Sequence, residues 1–155
     1  MAKGSSIKYE INAESGIIYV DRKLSTPMVY PGNYGFVPQT KTDDGDPVDV
    51  LILDSEPLIP SCVIDVRPIG VLLTEDQDGR DSKIIAVPTQ DEEFSDINDI
   101  KDITESARRQ IEHFFKHHKE LEKEKFIKIM GWREKKTAME IIVEAAAKYA
   151  DEMKR

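Results

Sequence analysis

A chain of 155 residues with a single cysteine, Cys62, can bury one hydrophobic core but cannot close an internal disulfide, which fits one domain over residues 1–155 in a reducing compartment. Its 22 basic and 30 acidic residues leave a net charge of −8, which argues against a nucleic-acid partner, because neutralising phosphates takes a basic face. The longest apolar runs, such as Val50-Leu51-Ile52-Leu53, fall far short of the roughly 20 residues of a membrane span, and the opening Met-Ala-Lys-Gly-Ser-Ser carries no apolar leader, so the expected place is the cytoplasm, with no membrane partner.

Ile7-Lys8-Tyr9-Glu10-Ile11 alternates apolar and polar side chains, Asn12 to Gly16 supplies turn residues, and Ile17 to Val20 is apolar and rich in β-branched residues. Together they predict a hairpin. Arg22 follows on the face of Ile18 and Val20, so its guanidinium is expected to lie inward. Pro31 to Gly35 reads as a turn between Tyr30 and Phe36. Val48 to Leu53 predicts a strand, and so do Val63 to Arg67, Gly70 to Leu73 and Ile84 to Val87. Many short strands at this spacing predict a small barrel.

The second half of the chain turns helical, an α+β order that is β-rich in its first half. A helix is predicted from Asp102 or Thr104, with Glu105 completing a capping-box-like start and Ala107, Ile111, Phe114, His118 and Leu121 along one stripe. Phe126 to Ile129 alternates like one last strand. Thr137-Ala138-Met139-Glu140 has the form of a capping box for a second helix, whose apolar face is Ala138, Ile141, Ile142, Ala145 and Tyr149.

The acids are unevenly placed. Asp43-Asp44-Gly45-Asp46-Pro47-Val48-Asp49 runs straight into an apolar strand, and Asp76 to Lys83 fills a hairpin loop before another. Aspartate beside glycine or proline is ordinary turn chemistry. Asp49 is different, because it shares a strand face with Leu51 and Leu53, where a carboxylate is costly unless paired or metal-bound. If the two groups meet at one rim, hard divalent cations are their natural counter-charge. Lys8, Arg22, Lys83 and Lys119 lie at strand ends or beside apolar helix positions, with the hydroxyls of Tyr30 and Tyr34 as further donors. Acids and cations in this combination fit phosphoryl transfer to water.

Tyr34-Gly35-Phe36-Val37-Pro38 followed by Asp44-Gly45-Asp46-Pro47-Val48-Asp49-Val50-Leu51 resembles the signature of soluble family I inorganic pyrophosphatases. The resemblance extends in order over Ile7 to Glu10, Val20 to Arg22, Arg67 to Gly70, the Asp76 to Lys83 loop and His113 to Lys119. It implies an α+β, mainly β fold: a five-stranded OB-like closed barrel with flanking helices, here without the short strand that the family carries before Ile7. The implied activity is Mg²⁺-dependent hydrolysis of inorganic pyrophosphate to two phosphates by metal-activated water. By position, Asp44, Asp49 and Asp81 would hold one Mg²⁺, Asp49 would share a second, Asp76 and Asp81 a further one, and Glu10 would help place another. Asp46 matches the general base. Lys8, Arg22, Tyr34, Lys83 and Lys119 match the phosphate-binding groups, with Tyr30 nearby.

Two positions depart from the family pattern. His118 stands where a phosphate-binding tyrosine is usual; imidazole can donate to phosphate, and it titrates near pH 6.5 when unperturbed. Gln77 stands where glutamate is common. Prokaryotic members are commonly homohexamers, and His113 and His117, one helical turn apart, fit an interface. Two other readings compete: a non-catalytic OB-like binding module, which the charge of −8 and Asp49 disfavour, and a pyrophosphatase impaired by a truncated N-terminus.

Overall fold

A computed structural model describes residues 1–12 and 14–154, so Ala13 of the predicted turn lies outside the described residues. The elements in order are β1 (Ile7–Ile11), β2 (Ile18–Lys23), β3 (Asn33–Phe36), β4 (Asp49–Ile52), β5 (Val66–Asp76), β6 (Gly79–Pro88), α1 (Glu105–His117), β7 (Ile127–Glu134) and α2 (Lys135–Met153). Two 3-10 turns, Glu92–Phe94 and Ile100–Asp102, precede α1. The predicted hairpin is present as a separate two-stranded sheet, and the other five strands form one mixed sheet in the order β3-β4-β6-β5-β7.

That sheet corrects the closed barrel. Among the described residues, no pairing joins the edge strands β3 and β7. The hairpin strands β1 and β2 pair only with each other among the described residues, so no strand there bridges β3 to β7, and the central strands are covered on both faces. Leu51, Leu72, Ile85 and Val87 pack with Ile111, Phe114 and Phe115 of α1. Val50, Ile52, Val71, Ile84 and Ala86 pack with Ala138 and Ala145 of α2. Strands buried on both sides read as continuous apolar runs rather than alternating ones, as Val50–Ile52 and Ile84–Val87 do.

The pairing β4–β6 is parallel; β3–β4, β5–β6 and β5–β7 are antiparallel. The two strands predicted around Pro68 are one strand, β5, whose register with β6 shifts between Pro68 and Gly70, which accommodates a residue with no amide proton. Gly70 is needed here: a Cβ would stand 2.7 Å from the Ile100 Cβ and 2.9 Å from the Arg133 carbonyl. The predicted Pro31–Gly35 turn is strand from Asn33 onward. Buried Asn33 accepts from Lys3 N and Leu58 N at 2.9 Å each and donates to the Glu56 carbonyl at 2.8 Å, tying three segments together.

Thr104 caps α1 by accepting from Ala107 N at 3.1 Å, so alanine, not Glu105, occupies the third helical position and no box forms. The helix ends at His117, which leaves Leu121 off the stripe and exposed. Strand β7 runs on to Glu134 and passes directly into α2, placing Thr137 inside the helix, where it cannot cap. Asp99 serves instead, accepting from Lys135 N at 3.2 Å.

Candidate functional site

Parallel pairing of β4 with β6 places Asp49 opposite Lys83, so both acid groups reach one end of the sheet. Lys83, 5% exposed, sets its Nζ 2.6 Å from Asp49 Oδ2 and 2.7 Å from each oxygen of Asp81. Tyr34, from the neighbouring β3, donates its hydroxyl to the same Asp49 oxygen at 2.6 Å. The ammonium also lies 5.6 Å from the Tyr34 ring centre and 5.8 Å from that of Phe115. Lys83 is thus the centre of a quartet with Asp49, Asp81 and Tyr34, which accounts for a carboxylate inside an apolar strand.

Burial by itself would lower Lys83, but Asp49 and Asp81 outweigh it and hold the ammonium above its ordinary range. Burial raises the Asp81 carboxyl despite the neighbouring Lys83. Burial also raises Tyr34 well above the usual phenol range, with Asp49 adding to the effect, so the hydroxyl keeps its proton and remains a donor. Tyr30 stacks on Tyr34 with ring centres 5.5 Å apart and is pushed up to about 12, chiefly by burial.

The remaining acids and cations stand around this quartet. Asp44 and Asp46 lie exposed on the loop entering β4, where Asp44 accepts from the Thr42 hydroxyl and from Asp46 N. Partial burial, then the charges of Asp44, Asp49 and Glu10, raise the Asp46 carboxyl. On the hairpin, Lys8 stands opposite Arg22 and pairs with Glu10 at 2.5 Å. Arg22 is half-buried; its Nη1 is 3.1 Å from Asp21 and its Nε 3.5 Å from Glu122. Lys119 lies 3.9 Å from Asp76 and is lowered by burial first and by Lys83 second. Among the described residues, no hydrogen bond or ion pair joins Lys8, Glu10, Arg22, Asp44 or Asp46 to the central quartet.

His118 is buried against Phe114 and Phe115. Its Nδ1 lies 3.2 and 3.1 Å from the Phe114 and Phe115 carbonyls, which only accept, so Nδ1 carries the proton. The neutral ring then has an acceptor at Nε2 and offers a phosphate oxygen no proton. Burial holds its pKa down to about 4. Gln77, exposed in the β5–β6 turn, bonds Asp78 at 2.7 Å.

Glu122 escaped the sequence reading. It sits in the charged run after α1, bracketed by Arg22 and by Lys125 at 3.2 Å. A charged run carries no signal of which member turns inward.

The donors are carboxylate oxygens, the chemistry hard divalent cations take, and two of them already converge on one positive group. The set fits such an ion, although among the described residues no three acids, histidines or cysteines gather as a complete coordination cluster. No helix described here is long and apolar enough to cross a membrane.

The family model for inorganic pyrophosphatase matches residues 1–150. A relative named inorganic pyrophosphatase from Agrobacterium fabrum is 51% identical over 148 residues, covering 94% of this chain and 84% of the relative. One of the same name from Saccharolobus solfataricus is 53% identical over 144 residues, covering 92% and 84%. The solved inorganic pyrophosphatase of Helicobacter pylori superposes with a TM-score of 0.94 at 41% identity over 97% of this chain and 89% of that one. That of Thermus thermophilus does so at 0.94 and 43% over 96% and 87%. A match over nearly the whole chain, with the acids and cations gathered at one end of the sheet, places this chain in the inorganic pyrophosphatase family.

Proposed function

We propose that this chain, as a single domain over residues 1–155, hydrolyses inorganic pyrophosphate to two phosphates with Mg²⁺ in the cytoplasm. The observation that carries the reading is the convergence of Asp49, Asp81, Lys83 and Tyr34 across a parallel strand pair, with further acids and cations around it.

Asp44, Asp49, Asp76 and Asp81 would hold the metal ions, with Glu10 beside them, since their hard oxygens suit Mg²⁺ better than any nitrogen or sulfur ligand. Bound there, the metal acidifies water and screens the charge of pyrophosphate. Asp46 is the proton acceptor: it is exposed to solvent, and its raised pKa makes it a stronger base than an ordinary aspartate. Lys83 keeps its charge at neutral pH because two carboxylates hold it, and its phosphate-binding role follows from its position in the family motif. Lys8, Arg22 and Lys119 add positive charge where the leaving phosphate develops its own. Tyr34 orients Asp49 through its hydroxyl and, with Tyr30, walls the site with aromatic rings. His118, in the tautomer its carbonyl partners select, meets a phosphate oxygen as a donor only when doubly protonated. One water enters, one P–O–P bond breaks, and the water proton passes to Asp46 as the new P–O bond forms.

The test is phosphate release from pyrophosphate, ATP and a phosphomonoester as Mg²⁺ is titrated. Release from pyrophosphate with Mg²⁺ and none with EDTA supports the reading; equal release from the phosphomonoester, or none from pyrophosphate, ends it. The exposed His113 and its neighbour His117, ring centres 4.5 Å apart, also fit the contact expected in a homohexamer. A stable monomer in sedimentation at micromolar concentration would reject that assembly.

A further inference from the structure

The loop that carries Asp44 and Asp46 is tight within itself. Thr42 N donates to the Asp46 carbonyl at 2.8 Å and Gly45 N to the Thr42 carbonyl at 3.2 Å. Gly45 turns the chain with φ +96°, a conformation that disfavours any side chain. Its base is fixed, since Val37 N donates to the Val48 carbonyl and Val48 N to the Thr40 hydroxyl. Its body is held differently. Lys41 N donates to the Ala145 carbonyl of α2 at 3.0 Å, and Lys41 Nζ reaches both oxygens of Glu152 at 2.7 and 2.6 Å. Lys148 Nζ bonds Asp43 at 2.7 Å and is steadied by Glu144 at 3.2 Å. Between loop and helix lies a cavity of about 310 Å³ lined by Phe36, Pro47 and Tyr149 among others. Close packing therefore does not fix the loop against α2 there; polar contacts span the gap.

We propose that the last turns of α2 clamp the acid loop, making Lys148 and Glu152 positioning residues for Asp44 and Asp46. The proposal rests on the reading of Asp44 as a metal-holding group and Asp46 as the base. Lys148 and Glu152 act through the loop backbone, by way of Asp43 and Lys41. Exposed ion pairs are individually weak and screened by salt, so the clamp sets the loop's position in a graded way rather than all or none.

The experiment compares the wild-type protein with Lys148→Ala/Glu152→Ala, with Glu152→Ala alone and with the charge-swapped Lys41→Glu/Glu152→Lys. Amide exchange is read without added metal, and the half-saturating Mg²⁺ concentration and the KM for pyrophosphate in turnover. The alanine pair is expected to speed exchange at Lys41 and Thr42 while Leu51 and Ile85 stay protected. It should raise the Mg²⁺ requirement about two- to fivefold with KM for pyrophosphate unchanged. Glu152→Ala alone should show part of both effects and the swapped pair should recover most of that part, and 0.5 M salt should weaken wild type toward the alanine pair. Unchanged exchange and Mg²⁺ requirement in the alanine pair, or a swap that recovers nothing, would overturn the clamp. A wild-type protein without pyrophosphatase activity would instead remove the catalytic reading, and exchange at Lys41 and Thr42 would still decide whether α2 holds the loop.

Discussion

Asp49 and Lys83 face each other across the parallel β4–β6 pair, with Nζ 2.6 Å from Oδ2. The same ammonium holds Asp81, so one buried cation is shared by two acids from different strands. Removing it leaves both carboxylates without their counter-charge in a poorly solvated place. Lys83→Met is expected to lower stability by about 3 kcal/mol and pyrophosphate turnover more than tenfold. Thermal melting and phosphate release check the two effects; a variant with unchanged melting temperature would show that the ion pair stabilises nothing.

Asp46 is exposed and bonds only within its own loop, so replacing its charge should spare the fold. Asp46→Asn is expected to reduce turnover by about 10²–10⁴-fold, the usual contribution of a positioned base, with a stability change within about 0.5 kcal/mol. Undiminished turnover would transfer the proton-accepting role to another group.

Tyr34 donates to the Asp49 oxygen that Lys83 also engages. Tyr34→Phe keeps the ring stacked on Tyr30 and removes the hydroxyl alone. The lost bond to a charged group should cost about 1.5–3 kcal/mol, with a several-fold drop in turnover as Asp49 loses its orientation. Equal melting temperatures and equal rates would mean that Lys83 suffices to hold Asp49.

His118 has its pKa depressed to about 4, mainly by burial. The unfolded chain, with an imidazole near 6.5, takes up a proton that the folded one refuses between those values. Stability therefore falls as pH drops from about 6.5 toward 4, by at most about 3 kcal/mol from this residue. His118→Gln should flatten that part of the melting temperature against pH, and a slope equal to that of wild type would assign the acid sensitivity elsewhere.

Much of the site was legible because one residue broke a local rule. Asp49 sits on an apolar strand face, and the structure supplies it with Lys83 and Tyr34. That Lys83 rather than another lysine lies opposite was not legible, since strand register is set by long-range pairing and not by spacing along the chain. The α2 start shows the same limit. Thr137 and Glu140 have the right spacing for a capping box, yet the orphan amide of Lys135 finds Asp99, 36 residues earlier in the chain. The short strands predict a small barrel and the resemblance implies a closed one, but closure depends on which edges pair across the molecule, and that long-range pairing leaves no pattern along the chain. Glu122 was illegible for want of pattern, because a glutamate in a lysine-rich run looks solvated until Arg22 arrives from the hairpin.

The parallel β4–β6 pair also bears on how the protein comes to exist. Asp49 and Lys83 are 34 residues apart in sequence, and β5, which lies between them along the chain, pairs with β6 on the edge away from β4. No local fragment of the chain contains the quartet. The site therefore appears only when the central sheet is complete, a high-contact-order event that falls late and cooperatively in folding. A ligand that binds the quartet pulls on the global folding equilibrium and not on one loop, so partly folded chains have no competent site with which to capture metal or substrate.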